Sequence, residues 1–255
     1  MFVIYKIFKG LFFNDLKRNR NLENIFSGRR CFIIGNGPSL TTNDLLMISD
    51  EITFGCNSFY KAKVFSPTVY SVGDPLKPGI VNYVSEILGK TDSKYYFIRE
   101  EVYQALKATK FFNDRELPEN LFKIKVWRNN YQKKLTAIDL ENLVPGYRHT
   151  PILSIMLAIY MGCNEIVLLG LDHCYIKDYF KGMTQVSHFY EEDAEKKEVM
   201  PTMKAIDLYK EAIKTDENFI QILNLCERRG VKIVDATRGG CLDIFDRVDL
   251  EDLYE

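Results

Sequence analysis

The amino-acid sequence predicts an α/β fold: a Rossmann-like, mostly parallel sheet with helices on both faces and a lid segment. Three observations predict it. Short apolar runs alternate with helix-like stretches from Cys31 onward, the runs end on glycine or polar residues, and one stretch, 173–202, breaks the alternation.

The first run is "CFIIG" at 31–35, followed by a capped helix around 42–48. "EITFGCN" (51–57) and "TVYSVGDP" (68–75) read as strands, and "GIVNYVSEIL" (79–88) as a helix. "KYYFIRE" (94–100) and "LFKIKVW" (121–127) are further β-rich runs. "ILSIMLAIYMG" (152–162) is an apolar helix whose closing Gly162 suits a C-cap, and it leads into the buried strand "NEIVLLGLD" (164–172). A long amphipathic stretch, about 203–228, ends at Gly230 and gives way to "VKIVDAT" (231–237). Residues 173–202 have no clear period; a loop of that length inside a compact domain is usually an active-site lid or disordered. Tyr175, Tyr179, Phe180, Phe189 and Tyr190 argue against disorder there, so the segment reads as a lid. No internal repeat and no Pro/Gly/Ser linker interrupts the chain. The expected organisation is an N-terminal apolar and basic helical segment over 1–28, then one nucleotide-binding domain over 29–255 with its lid at about 173–202.

At 255 residues, 46% hydrophobic and 27% charged, the chain can bury a substantial core. A formal charge of −1 supplies no basic field for nucleic acid. The six cysteines are scattered without a C-x-x-C pair, and read as reduced, mostly buried thiols of a cytosolic protein. No segment reaches the roughly 18 apolar residues of a membrane span. The opening "MFVIYKIFKGLFF", with Lys17, Arg18 and Arg20 behind it, lacks a small-residue cleavage site. It reads equally as a helix packed on the body or as an amphipathic anchor, with residues 1–20 touching the inner face of a bacterial inner membrane. Monomer and homo-oligomer both stand, because no pattern fixes subunit number.

In an open α/β sheet, ligands sit at the carboxyl ends of the strands. The first run ends in Gly35-Asn36-Gly37-Pro38-Ser39, where glycines let the backbone approach a ligand and Ser39 caps a helix or binds phosphate. It is neither the dinucleotide fingerprint nor a P-loop, since Leu40 takes the place of the third glycine and no Gly-Lys-Ser/Thr follows. Asn36 can donate and accept at once, as nucleoside recognition requires. Asn57 ends the second strand and Asp74 the third, and both residue types also form plain turns. Asp172 and His173 close a very apolar strand, and a buried carboxylate there demands a partner. Histidine is scarce: His149 reads as structural, while His188 in "SHFYEED" is the candidate general base. No spacing among the three histidines suits a metal. Arg148 and Thr150, in "YRHT" before the apolar helix, are candidate phosphate ligands.

Together "IIGNGPSL", "CNSFY", "YRHT", "MGCNEIVLLGLDH" and "SHF" resemble the bacterial sialyltransferases of glycosyltransferase family 42, in order over about 35–240. They also resemble the wider MptE-like group, named after archaeal 6-hydroxymethylpterin diphosphokinases. The resemblance implies a GT-A-variant-like fold and metal-independent transfer of sialic acid or a related nonulosonate. The donor would be CMP-activated and the acceptor a surface glycan or glycolipid, as in lipopolysaccharide or capsule biosynthesis. It implies that Asn36 and Asn57 hold the nucleoside, with Thr150 near the CMP and Arg148 on the phosphate side. Tyr175 and Tyr179 would donate to the leaving phosphate, and His188 would deprotonate the acceptor. Departures point to the wider group: His173 and Cys174 stand where aromatics are expected, and Asp74 where the sialyltransferases have asparagine. Two alternatives accompany this reading. One is pyrophosphate transfer from ATP with magnesium held by Asp74, Asp172 and Asp235; the other is a non-catalytic nucleotide-binding module.

Overall fold

The computed structural model describes residues 14–109, 117–127, 135–181, 188–190 and 204–255. The N-terminal anchor expected over 1–20 lies outside the described residues as far as residue 13. The expected lid does so at 182–187 and 191–202.

Among the described residues nine parallel strands form one sheet: β1 (Arg30–Ile34), β2 (Ile52–Cys56), β3 (Val69–Val72), β4 (Tyr95–Arg99), β5 (Leu121–Val126), β6 (Leu143–Val144), β7 (Glu165–Leu169), β8 (Lys232–Asp235) and β9 (Asp246–Arg247). Their spatial order is β6-β5-β4-β3-β2-β1-β7-β8-β9, so the sheet grows outward from β1 in both directions. Both faces are covered, which is why the strands are apolar without alternation. In β1, Cys31 and Ile33 enter one core while Phe32 and Ile34 enter the other. In β7 the same division separates Ile166 and Leu168 from Val167 and Leu169.

The described α-helices are α1 (Thr42–Met47), α2 (Ile80–Lys90), α3 (Glu100–Lys107), α4 (Thr150–Tyr160), α5 (Tyr175–Phe180) and α6 (Ala205–Arg229). Helix α1 opens on a capping box, with Thr41 Oγ1 accepting from Asp44 N–H at 3.2 Å and Asp44 Oδ2 from Thr41 N–H at 2.9 Å. Every residue of α4 except Pro151 is buried, and proline at its first turn removes a donor that has no helical partner there. Helix α6 closes on Gly230 in the left-handed conformation, φ 66°, a C-cap that a side chain would strain. The 3₁₀ turn Asn14–Leu22 packs on the same body: Leu16 and Leu22 are buried, and Asn19 donates to the Lys123 and Leu140 carbonyls at 3.0 and 2.8 Å.

The seven longer strands occupy the segments the sequence predicts. The expectation of six reduced cysteines needs correcting: Cys31, Cys56, Cys163 and Cys226 are free and buried, but Cys174 and Cys241 form a disulfide. Sequence spacing hides that pair because only the adjacency of β7 and β8 brings their following loops together. No helix among the described residues is long and apolar enough to cross a membrane.

Candidate functional site

The strand order reverses between β1 and β7, which opens a crevice at their carboxyl ends. There the "GNGPS" loop meets the loop after β7. Gly35 N–H donates to the Leu169 carbonyl at 2.8 Å and Gly37 N–H to the Gly170 carbonyl at 2.9 Å. A Cβ on Gly35 would run into the Gly170 carbonyl, and one on Gly37 into the Asp172 carboxylate. The glycines are therefore required first by loop-to-loop contact, whatever ligand follows. Asp172 accepts from Ser39 N–H at 3.2 Å and from Ser39 Oγ at 2.8 Å. Burial pushes its carboxyl above the ordinary range, opposed by these bonds, which favour the ionised form.

A cavity of about 230 Å³ opens beside this contact, and His149, His173 and His188 all line it together with Asn36 and Tyr175. Asn36 Nδ2 donates to the Cys56 carbonyl at 3.1 Å, while its Oδ1 is buried with no hydrogen-bond partner among the described residues. The Asn36 carbonyl lies 3.1 Å from His188 Nδ1 and accepts from Phe189 N–H at 3.4 Å. A carbonyl only accepts, so in that contact Nδ1 is the donor. The His188 ring also stacks on Tyr190, with centroids 5.1 Å apart.

His173 is held in the left-handed region at φ 51°, its ring edge-on to His149 at 5.2 Å and to Phe219 at 5.1 Å. Its Nδ1 is buried without a partner among the described residues. Burial, helped by neighbouring His149, lowers its pKa to about 3, so the ring is neutral at ordinary pH. Burial and then Arg148 lower the pKa of His149 as well. Tyr175 lies over His149 with centroids 6.3 Å apart, and burial raises its pKa to about 12.

The remaining expected site residues stand outside the cavity wall. Asn57, at φ 51°, opens the 3₁₀ turn Asn57–Ala62; its carbonyl accepts from Tyr70 Oη at 2.6 Å, and its Oδ1 is buried without a partner among the described residues. Asp74 forms an ion pair with Lys77 at 2.9 Å in an exposed turn. Thr150 is buried at the start of α4 against Gly73. Arg148 pairs with Glu211 of α6 at 3.0 Å, a bond within the scaffold. Tyr179 packs on Phe180 at 5.4 Å. Asp74, Asp172 and Asp235 are thus tied to separate partners, Lys77, Ser39 and Thr237. Among the described residues no three His, Cys, Asp or Glu side chains cluster to hold a metal.

A second, larger hollow of about 1390 Å³ lies on the other side of residues 188–190, between the 57–66 segment and α2. Of its lining residues Tyr60 closes the "CNSFY" motif and Lys61 and Lys63 follow it in sequence, but nothing in their spacing marks them as a wall. The disulfide ties Cys174, at the cavity, to Cys241 in the loop after β8. Comparison with family profiles, with curated proteins and with solved structures finds no match for this chain. Its function therefore rests on the arrangement of its own residues. That arrangement offers an acceptor amide oxygen, a histidine anchored through Nδ1 to the glycine turn, and a crevice at a switch point.

Proposed function

We propose that the protein is a glycosyltransferase that moves a sugar from a CMP-activated donor to a cell-surface glycan or glycolipid. Sialic acid or a related nonulosonate is the sugar the sequence resemblance favours. The observation that carries the reading is the contact between the Asn36 carbonyl and His188 Nδ1 at 3.1 Å, which holds a histidine against the glycine turn. Asn36 Oδ1, buried and unpartnered among the described residues, suits a donor group such as the amino edge of a cytosine. His188 Nε2 takes the proton of an acceptor hydroxyl in this reading, and the phosphate of CMP departs with the electron pair. A lipid-linked acceptor at a membrane surface fits the apolar and basic opening of the chain.

The test is thermal unfolding with CMP and no added metal. A ligand at a hundred times its Kd stabilises the folded state by about 2.7 kcal/mol, which raises the Tm measurably. Stabilisation by ATP with magnesium, and none by CMP, would transfer the assignment to pyrophosphate transfer.

A further inference from the structure

Residues 188–190 separate the two hollows. His188 lines the smaller cavity, while Phe189 and Tyr190 line the larger cleft. The strip is fixed from below, since Phe189 packs on Phe59 with centroids 6.2 Å apart and its N–H reaches the Asn36 carbonyl at 3.4 Å. Tyr190 lies nearly parallel to the His188 ring, at an interplanar angle of 13°. Tyr190 thus joins the cleft wall to the His188 ring.

The chemistry of the cleft differs from that of the cavity. Its charged lining residues are Lys61, Lys63, Lys90 and Glu86. Lys90 is already paired with Glu86 at 2.6 Å, so the excess positive charge comes from Lys61 and Lys63. Lys63 ends the 3₁₀ turn in the left-handed region at φ 55°, and Lys61 Nζ lies 5.1 Å from the Tyr190 ring centroid. Tyr60 and Tyr83 meet edge-on with centroids 6.3 Å apart and add aromatic surface to the same wall. Aromatic faces match the C–H faces of sugar rings, and a pair of lysines matches carboxylate or phosphate groups. The volume admits several sugar rings.

We propose that this cleft binds the acceptor, and that the acceptor is an anionic oligosaccharide with its charge over Lys61 and Lys63. The proposal rests on the glycosyltransferase reading above. In the step it serves, an acceptor hydroxyl passes the Tyr190 rim of the cleft and gives its proton to the His188 imidazole. The freed oxygen bonds to the anomeric carbon of the donor, and the bond from that carbon to the phosphate breaks with its electron pair leaving on CMP.

The experiment titrates the full chain with 3′-sialyllactose and, as neutral control, lactose, at low salt and without donor. The same titrations are run on the double variant Lys61→Glu/Lys63→Glu, whose changes lie away from the core. CMP thermal shifts are recorded for both proteins. The wild-type chain is expected to prefer sialyllactose by about tenfold, with the preference shrinking as salt rises and vanishing in the variant. Equal binding of the two sugars, binding of neither, or a preference that survives in the variant would overturn the proposal. A lysine-dependent preference with no CMP shift in either protein would uphold the anionic-glycan cleft and remove the CMP reading instead.

Discussion

The crevice at β1 and β7 and the loop after β8 lie on one edge of one sheet, yet their polar groups are used differently. After β8, Arg247 donates to the carbonyls of Thr237, Gly240 and Leu242 at 2.7, 2.9 and 2.6 Å. Arg238 holds both oxygens of buried Asp44 at 2.7 Å and Glu251 at 2.8 Å. Asp235 accepts from Thr237 N–H at 2.8 Å; its other oxygen is buried without a hydrogen bond among the described residues, but has the Arg247 guanidinium at 3.7 Å. At the crevice, by contrast, Asn36 Oδ1 and His173 Nδ1 are buried and unpartnered among the described residues. Buried polar atoms are almost always satisfied in folded proteins, and these two belong to residues that line an open cavity rather than face a charged neighbour. Motif residues after β8 serve the scaffold; those after β1 and β7 face a cavity.

The largest effect that tests this contrast is His188→Ala. Transfer should fall by about 10²–10⁴-fold, the usual contribution of a general base, with the CMP thermal shift retained. Unchanged turnover would strip the crevice of its chemistry and leave the two regions alike. Next is Arg238→Ala, which leaves the Asp44 carboxylate buried with only its capping bonds. It should cost about 2–3 kcal/mol in urea unfolding, at the low end for a broken pair because Arg238 is half-exposed, and leave CMP affinity intact. A parallel loss of CMP affinity would join the two regions into one site.

The smallest effect concerns pH. His173 titrates near 6.5 when unfolded and at about 3 when folded, so both states are neutral above 6.5. As pH falls below 6.5 the unfolded chain gains a proton that the native ring refuses, and stability drops progressively towards pH 3. Asp172 and Asp235, whose carboxyls burial raises, act with the opposite sign over the acidic range. Comparing the wild-type chain with His173→Gln isolates the histidine: the variant should lose less Tm between pH 7 and pH 5. Equal losses would mean that His173 is not held neutral by its surroundings.

Much of the fold was legible because strands covered on both faces must be continuously apolar, as in "CFII" and "EIVLL". Strands β6 and β9 escaped notice because two residues carry no period, and α3 because it follows β4 without a turn. At the site, Asn36 and His188 stand out in sequence as a glycine-flanked amide and a lone histidine among aromatics. The sequence could not show that Gly37 and Asp172 occupy one spot, or that His149 joins the cavity wall. Nor could it show that Cys174 meets Cys241. Each of these depends on which strands are neighbours, and neighbours here are far apart in the chain.

That separation bears on how the protein is made. Ser39 and Asp172, whose bond closes the crevice, are 133 residues apart. A ribosome adding about 5–20 residues per second needs on the order of ten seconds to bridge that gap. Meanwhile β1, an interior strand of the finished sheet, waits with one hydrogen-bonding edge bare beside "CFII". Such an edge invites wrong partners. The nascent chain should therefore lean on chaperones until β7 emerges, and fusions or truncations ending before residue 170 should aggregate.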